Sequence, residues 1–315
     1  MRLLIFNPET EYALASGASF YTPPARVVAL RKERQLLPET WAGDGDVILV
    51  DDVEGCSSGF RLVDWSLLED LFRENPDITI EPWGWNKALR RRLADSGVPL
   101  SALPDEQYIE MIRNLAHRRT TVRLNTIWNE MAEECERVPV PTELFSEDEC
   151  VDFFRKHPGC WMKAPWSSSG RGVVNTAADM EEVHVRQWCR GIIRRQGSVM
   201  AETGADRVAD YATEWILRQG VANYIGLSSF VTSNRGKYLS NNIKRQSEMT
   251  VEFDSMCRLR LMDIAERQKR IIEEVYKGYD GPLGIDMIIE GDGSVRPFVE
   301  VNLRRTMGMV YLSES

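Results

Sequence analysis

The chain has 315 residues, 43% of them hydrophobic and 28% charged, the balance of a globular protein whose core needs no covalent staples. That excludes a mainly disordered chain, a collagen-like repeat and a small disulfide scaffold. The formal net charge of −9 excludes broad attraction to nucleic acid or an anionic membrane, so an anionic ligand must be held by a few placed cations and backbone amides.

In chain order, the apolar run Leu3–Phe6 is too short for a signal peptide and reads as a first strand. Val47–Val50 and Ile78–Ile80 are further buried-strand candidates, while Asp64–Asn75 and Asn86–Ser96 show helical spacing with polar starts. This alternation predicts a parallel α/β layer. Pro23-Pro24 and Gly43-Asp44-Gly45 are turns. The segments Asn7–Tyr12, with Glu9 and Glu11, and Pro82–Asn86, with Trp83 and Trp85, match no substrate motif. Loops after a first strand line α/β clefts, but packing is the simpler reading of both. Arg90-Arg91-Arg92 reads as a solvated helix face. Helices follow near Asp105–Ala116 and Thr120–Cys135, then the extended linker Val138–Pro141.

Past the linker the texture changes. Ser146–Lys156 is a Ser-capped helix, Cys160–Ala164 a strand, and Asp179–Gly197 a long amphipathic helix. Ser198–Lys244 is almost all strand, with Asn234-Arg235-Gly236 as a hairpin turn. Asp254–Tyr276 reads as one long helix, and two strands, Leu283–Ile289 and Val295–Val301, close the chain. An α/β part thus precedes an α+β part rich in antiparallel strand. The six cysteines form no C-x-x-C pair and read as reduced, cytoplasmic thiols. The three histidines lie far apart, which argues against a zinc site or a Ser-His-Asp triad. No run approaches the ~18 apolar residues of a membrane span.

Three stretches carry chemistry. A strand ends at Lys163 and runs into the loop Ser167, Ser168, Ser169, Gly170, Arg171, Gly172. Glycines let backbone N–H groups approach phosphate oxygens, serine hydroxyls add donors, Lys163 supplies a point charge and Arg171 a fork. There is no Walker loop and no G-x-G-x-x-G, and a plain hairpin loop is the other reading. Second, Glu300, Asn302 and Arg304 alternate along a strand and share a face. If that strand pairs with Leu283–Ile289 as a hairpin, Asp286 lies beside Glu300. Two carboxylates and an amide oxygen suit Mg²⁺; a half-exposed hairpin explains the alternation equally well. Third, Ser198–Glu202 leads into Asp210–Ile216, where a strand edge could meet an adenine and an acid a ribose, or where the surface is ordinary strand.

Taken in order, the Lys-bearing strand, Ser/Gly loop, Glu-ended strand, antiparallel sheet and Asp…Glu-x-Asn-x-Arg resemble the ATP-grasp superfamily over roughly Leu115–Gly308. The resemblance implies α/β plus α+β architecture: a Rossmann-like pre-ATP-grasp domain at 1–114 and an ATP-grasp domain at 115–315. The latter would hold two subdomains, 138–203, and 204–315 with 115–137. It implies that Lys163 contacts the α/β phosphates, Ser167–Gly172 covers them, Glu202 sits at the adenine hinge and Asp210 takes the ribose. Asp286, Glu300 and Asn302 would be the magnesium ligands, with Glu300 bridging two ions. Arg304 would face the acceptor or the γ-phosphate, making Lys163 and Arg304 the catalytic pair. Many members carry an earlier lysine where this chain has Ala116-His117-Arg118-Arg119; an arginine, Arg119 or its neighbour Arg118, takes that place. The implied cofactors are ATP and one or two Mg²⁺. The implied activity is ligation of a small-molecule or peptide carboxylate, through an acyl phosphate, to an amine or thiol, with no nucleic-acid or membrane partner, cytoplasmic and compatible with a homodimer. A kinase of a small hydroxyl substrate on the same fold, or a non-catalytic nucleotide-binding or interaction protein, are the alternatives. No single subfamily's substrate motif fits.

Overall fold

The short apolar runs of the first part are strands buried on both faces, and they assemble as a parallel sheet. The computed structural model describes residues 1–167, 172–176, 180–233, 238–242 and 244–314. The chain divides into two units, Met1–Asn114 and Leu115–Ser313.

The first unit comprises β1 (Arg2–Ile5), α1 (Thr10–Ser16), α2 (Ala25–Glu33), β2 (Val47–Leu49), β3 (Arg61–Val63), α3 (Leu68–Glu74), β4 (Thr79–Pro82), α4 (Lys87–Asp95) and α5 (Glu106–Leu115). The strand order is β3-β2-β1-β4, all parallel. Leu3, Ile5, Val47 and Leu49 pack on one side against Leu68, Phe72 and Leu93. Leu4 and Ile48 face the other side, against Leu36, Trp41 and Leu62. Asn86 caps α4 by accepting the Leu89 N–H at 2.9 Å. Trp83 is a core residue, edge-on to Phe6 at 5.1 Å. Within Arg90–Arg92 the solvated face is Arg91 and Arg92, both exposed although they lie over Phe20 and Trp65, whereas Arg90 turns inward and donates to the Pro104 carbonyl at 2.7 Å. For Arg90 that carbonyl outweighs the charge run's preference for water.

The second unit continues with α6 (Thr120–Met131), β5 (Thr142–Leu144), α7 (Glu147–Lys156), β6 (Trp161–Lys163), β7 (Val173–Asn175), α8 (Glu182–Gln196), β8 (Val199–Glu202), β9 (Arg207–Arg218), β10 (Val221–Thr232), β11 (Tyr238–Asn242), α9 (Gln246–Met256), α10 (Leu261–Val275), β12 (Gly281–Glu290), β13 (Val295–Asn302) and α11 (Met307–Glu314). One antiparallel sheet has the order β5-β8-β6-β7 and the other β11-β10-β9-β12-β13. Helices α7 and α8 pack together beside the first, where Cys150, Cys160 and Cys189 join Met162, Val185 and Val199 in its core. All six cysteines are free thiols. The hydrogen bond to Cys150, then burial, pushes the Cys189 thiol up, as burial does Cys160. Helices α6, α9 and α10 cover the second sheet, through Trp128 on Phe298, Phe253 on Tyr211 and the buried Gln268.

The long helix expected over Asp254–Tyr276 is two. The chain breaks at Cys257–Arg260 because the Arg258 backbone N–H is drawn to the Gly293 carbonyl (2.9 Å) and its side chain to Asp292 (2.8 Å). Asp254 then accepts the Leu261 N–H that α10 would otherwise leave orphaned. Helix α6 likewise stops at Met131, and Glu134–Glu136 forms a single 3₁₀ turn. The proposed hairpin turn Asn234–Gly236 lies outside the described residues. A tight turn unmarked in the sequence reading joins β9 to β10 through Gln219 (φ +52°) and Gly220 (φ +79°). Among the described residues no helix is long and apolar enough to cross a membrane.

Candidate functional site

The first half of the site is one face of the β6/β8 pair. Lys163 lies across from Met200, so Glu202, two residues on, shares its face. The Lys163 ammonium donates to Glu202 Oε2 at 2.6 Å, with the lysine side chain only 9% exposed. An ammonium so far removed from water needs this partner. The chain then leaves β6 through Ala164–Ser167 and re-enters at Gly172. A side chain at Gly172 would meet Ser167 and Ala164 at 2.9 and 3.1 Å, and its φ of +76° favours glycine besides. Ser168, Ser169, Gly170 and Arg171 lie outside the described residues.

Arg118 binds the root of that loop. Its guanidinium donates to the Ala164 carbonyl and the Ser167 hydroxyl, both at 2.7 Å, and its backbone N–H to the Pro165 carbonyl. The other arm of the fork reaches Glu300 at 2.5 Å. The structure brings Arg118 to this place and leaves Arg119 57% exposed, 3.5 Å from Glu143.

The second half is one face of the larger sheet. Across β12 and β13, Asp286 opposes Glu300 and Gly284 opposes Asn302. Across β12 and β9, Gly284 opposes Glu214, Asp286 opposes Ala212 and Ile288 opposes Asp210. Alternation therefore sets Asp210, Glu214, Asp286, Glu300 and Asn302 on one face, with the bulky apolar residues Tyr211, Trp215, Ile285 and Met287 on the other. Arg304 donates to Asn302 Oδ1 at 2.9 Å. Asp210 is occupied locally, accepting from Thr232 at 2.5 Å with Arg207 at 3.4 Å, and burial lifts its carboxyl above the usual range.

The charges of this face are uneven. Burial, then the neighbouring Glu300 and Glu214, drives the Asp286 carboxyl well up, against a weaker pull from Arg304. Burial also works against ionised Glu300, but Arg118 beside it, with Lys163 and Arg304, outweighs that and holds its carboxyl below the ordinary value. Arg118, bonded both to the segment that leaves β6 and to Glu300 on β13, joins residues of the two sheets in one site.

Glu214 is the residue that the sequence reading passed over. It is 1% exposed and accepts from Ser228 (2.9 Å) and Thr306 (2.8 Å), and burial pushes its carboxyl up to about 7. Two glycines make room for it: a Cβ on Gly308 would lie 2.0 Å from Oε1, and one on Gly284 2.7 Å from Oε2. The available signal was the spacing Asp210, Ala212, Glu214 on one face, with glycines placed near Asp286 and Arg304.

Among the described residues no group of three His, Cys, Asp or Glu is arranged to hold a metal ion on its own. Asp286, Glu300 and Asn302 offer an all-oxygen set with one carboxylate crowding the next, which fits Mg²⁺, a hard ion that takes few protein ligands and keeps water or phosphate for the rest. Lys244 pairs with Glu252 at 2.5 Å.

No protein-family model matches the sequence, and neither does any curated protein. Solved structures do resemble the fold. The biotin carboxylase domain of the Hydrogenobacter thermophilus 2-oxoglutarate carboxylase, in complex with MgADP, ADP and bicarbonate, superposes with a TM-score of 0.58 at 11% identity, over 99% of this chain and 68% of that one. The N5-carboxyaminoimidazole synthetase of Staphylococcus aureus, complexed with ADP, gives 0.55 at 12% identity, over 97% and 70%. The L-amino acid ligase of Bacillus licheniformis gives 0.50 at 13% identity, over 98% and 68%. The chain has the ATP-grasp fold, mixed α/β with, among the described residues, one parallel and two antiparallel sheets.

Proposed function

We propose that this protein is an ATP- and magnesium-dependent ligase that activates a substrate carboxylate as an acyl phosphate and joins it to an amine or thiol, with carbon–nitrogen bond formation the favoured case. The observation that carries the reading is the bridge that Arg118 makes from the Lys163 strand's loop to Glu300, in a carboxylate face of Asp286 and Glu300 with Asn302 and Arg304 beside them. The fold shared with ATP- and ADP-bound structures supports it.

In this reading a substrate carboxylate oxygen attacks the γ-phosphorus and the bond to ADP breaks. The nucleophile then adds to the acyl carbon, loses its proton, and phosphate leaves. Lys163 holds the α/β phosphates, with Glu202 keeping its ammonium in place. Arg304 faces the transferring phosphoryl group and stabilises its charge. Bound through Asp286, Glu300 and Asn302, magnesium would neutralise charge on the phosphate oxygens. The Ser/Gly loop from Ser167 to Gly172 excludes water from the acyl phosphate. Glu202 and Asp210 take the adenine and ribose ends. The substrate is a small-molecule or peptide carboxylate.

The test is substrate-dependent ADP release with Mg-ATP across amino acids, peptides and small carboxylates, with hydroxylamine present. A ligase yields a hydroxamate; a kinase releases ADP without one, and a non-catalytic protein releases none. Glu300→Gln is expected to lower substrate-dependent ADP release by about 100-fold or more, and unchanged release overturns the magnesium assignment.

A further inference from the structure

Within Met1–Asn114 a cavity of about 380 Å³ opens at the carboxyl ends of β1 and β2, lined there by Ile5, Phe6, Leu49 and Asp51. In the order β3-β2-β1-β4 the sheet continues from β1 in both directions, so this is the edge where parallel sheets take ligands. Its size falls in the range of small-molecule sites.

Its charged groups are only partly spent. Arg31 is bound twice, to Glu9 Oε1 at 2.8 Å and Asp51 Oδ2 at 3.0 Å. The second Asp51 oxygen accepts the Trp65 indole N–H at 3.3 Å. Arg92 lies flat on Trp65, 3.5 Å from the ring centroid, and among the described residues the one carboxylate within 4.0 Å of it is that same Asp51, at 3.7 Å. The Arg92 side chain is 44% exposed, so N–H groups not turned to Asp51 are open to solvent and to a bound anion. Burial, then repulsion from Arg31, lowers its guanidinium from the ordinary value. Asn86 spends its oxygen on the α4 cap and leaves Nδ2 unpaired at 1% exposure, and Glu9 Oε2 is likewise unpaired. A buried polar group left without a partner destabilises the fold, which a bound ligand would relieve. The wall thus holds unspent donors on Arg92 and Asn86 and an unspent acceptor on Glu9. Phe20, 76% exposed and under Arg91, and Trp65 add aromatic surface. Three arginines (31, 91, 92) and three carboxylates (9, 51, 95) line the space, so an occupant with one charge of each sign leaves the balance untouched.

We propose that this cavity binds a small zwitterion, an α-amino acid or a compound with the same ammonium–carboxylate pair and a compact apolar group, its carboxylate on Arg92 and Asn86 and its ammonium on Glu9. The site goes beyond the nucleotide reading and does not depend on it, because occupancy needs no ATP.

The test is calorimetry on the full chain without nucleotide, titrating the common amino acids one at a time and then the N-acetyl and carboxamide derivatives of any that bind. At least one amino acid is expected to bind one-to-one, with blocking of either end weakening it about tenfold or more, the worth of a charged hydrogen bond. Arg92→Met weakens the parent to a similar degree, Arg92→Lys less so because it keeps the charge but loses the fork. Glu9→Gln weakens the parent but not its N-acetyl derivative. Circular dichroism checks that the variants fold, and the blocked ligands test the wild type directly. Absence of binding at millimolar concentration, or binding indifferent to both blocked ends, overturns the proposal.

Discussion

Glu214 shows how a single carboxylate can set a pH dependence from inside a sheet. Its unfolded-state value is near 4.5 and burial raises it to about 7 in the fold. The native state therefore holds a proton that the unfolded chain releases, and stability from this group falls as pH rises between those values. The penalty is complete above pH 7 and amounts to about 3 kcal/mol, at about 1.4 kcal/mol per unit. Glu214→Gln removes it. Measured without nucleotide or magnesium, the stability of the glutamine variant relative to wild type is expected to grow by about that amount from pH 5 to pH 8. A constant difference across that range would mean that Ser228 and Thr306 hold the group ionised. Asp286, which the Glu214 charge also raises, titrates lower in the variant and adds to the difference in the same direction.

At the scale of elements, the turn between β9 and β10 limits how firmly the site's central strand is held. Gln219 adopts a left-handed conformation that asparagine tolerates better in two-residue hairpins ending in glycine. Gln219→Asn is expected to raise the opening free energy of the β9–β10 amides by up to about 1 kcal/mol, read by hydrogen exchange; unchanged or faster exchange would show that the Gln219 N–H bond to Asp280 already fixes the turn. The same turn shows what the sequence could not announce, since glutamine carries no turn signal. The break at Cys257–Arg260 was equally hidden, because its cause is Gly293 and Asp292, more than thirty residues away. Legible elements had local causes. Ser146 and Glu149 form a reciprocal capping box visible as S-x-x-E, and the polar alternation Glu300, Asn302 lies between Val299 and Val301. The placement of Asp286 across from Glu300 needed only that alternation and a hairpin. For Glu214 the sequence offers only its alternation with Asp210, since the glycines that accommodate it, Gly284 and Gly308, lie far along the chain.

For the whole molecule, the net charge of −9 is no bar to an anionic ligand, because Lys163, Arg118 and Arg304 are gathered locally while most acids remain in solvent. If nucleotide binds as proposed, Mg-ATP at about 100 times its dissociation constant stabilises the fold by about 2.7 kcal/mol, seen as a rise in melting temperature. The rise is expected to need magnesium and to shrink strongly in Lys163→Met; an equal rise in that variant would show that the nucleotide does not contact this lysine. Beneath the site, the fully buried Gln268 behaves as a jig. Its amide accepts from Thr213 on β9 at 2.9 Å and donates to the Pro297 carbonyl on β13 at 2.8 Å, straddling β12 from the far side. A slip of one residue would turn Glu300 and Asn302 into the core and bring Val299 and Val301 to the surface. Such a slip would also strand both ends of a buried amide, so a side chain that no ligand touches acts as the alignment pin for every polar group above it.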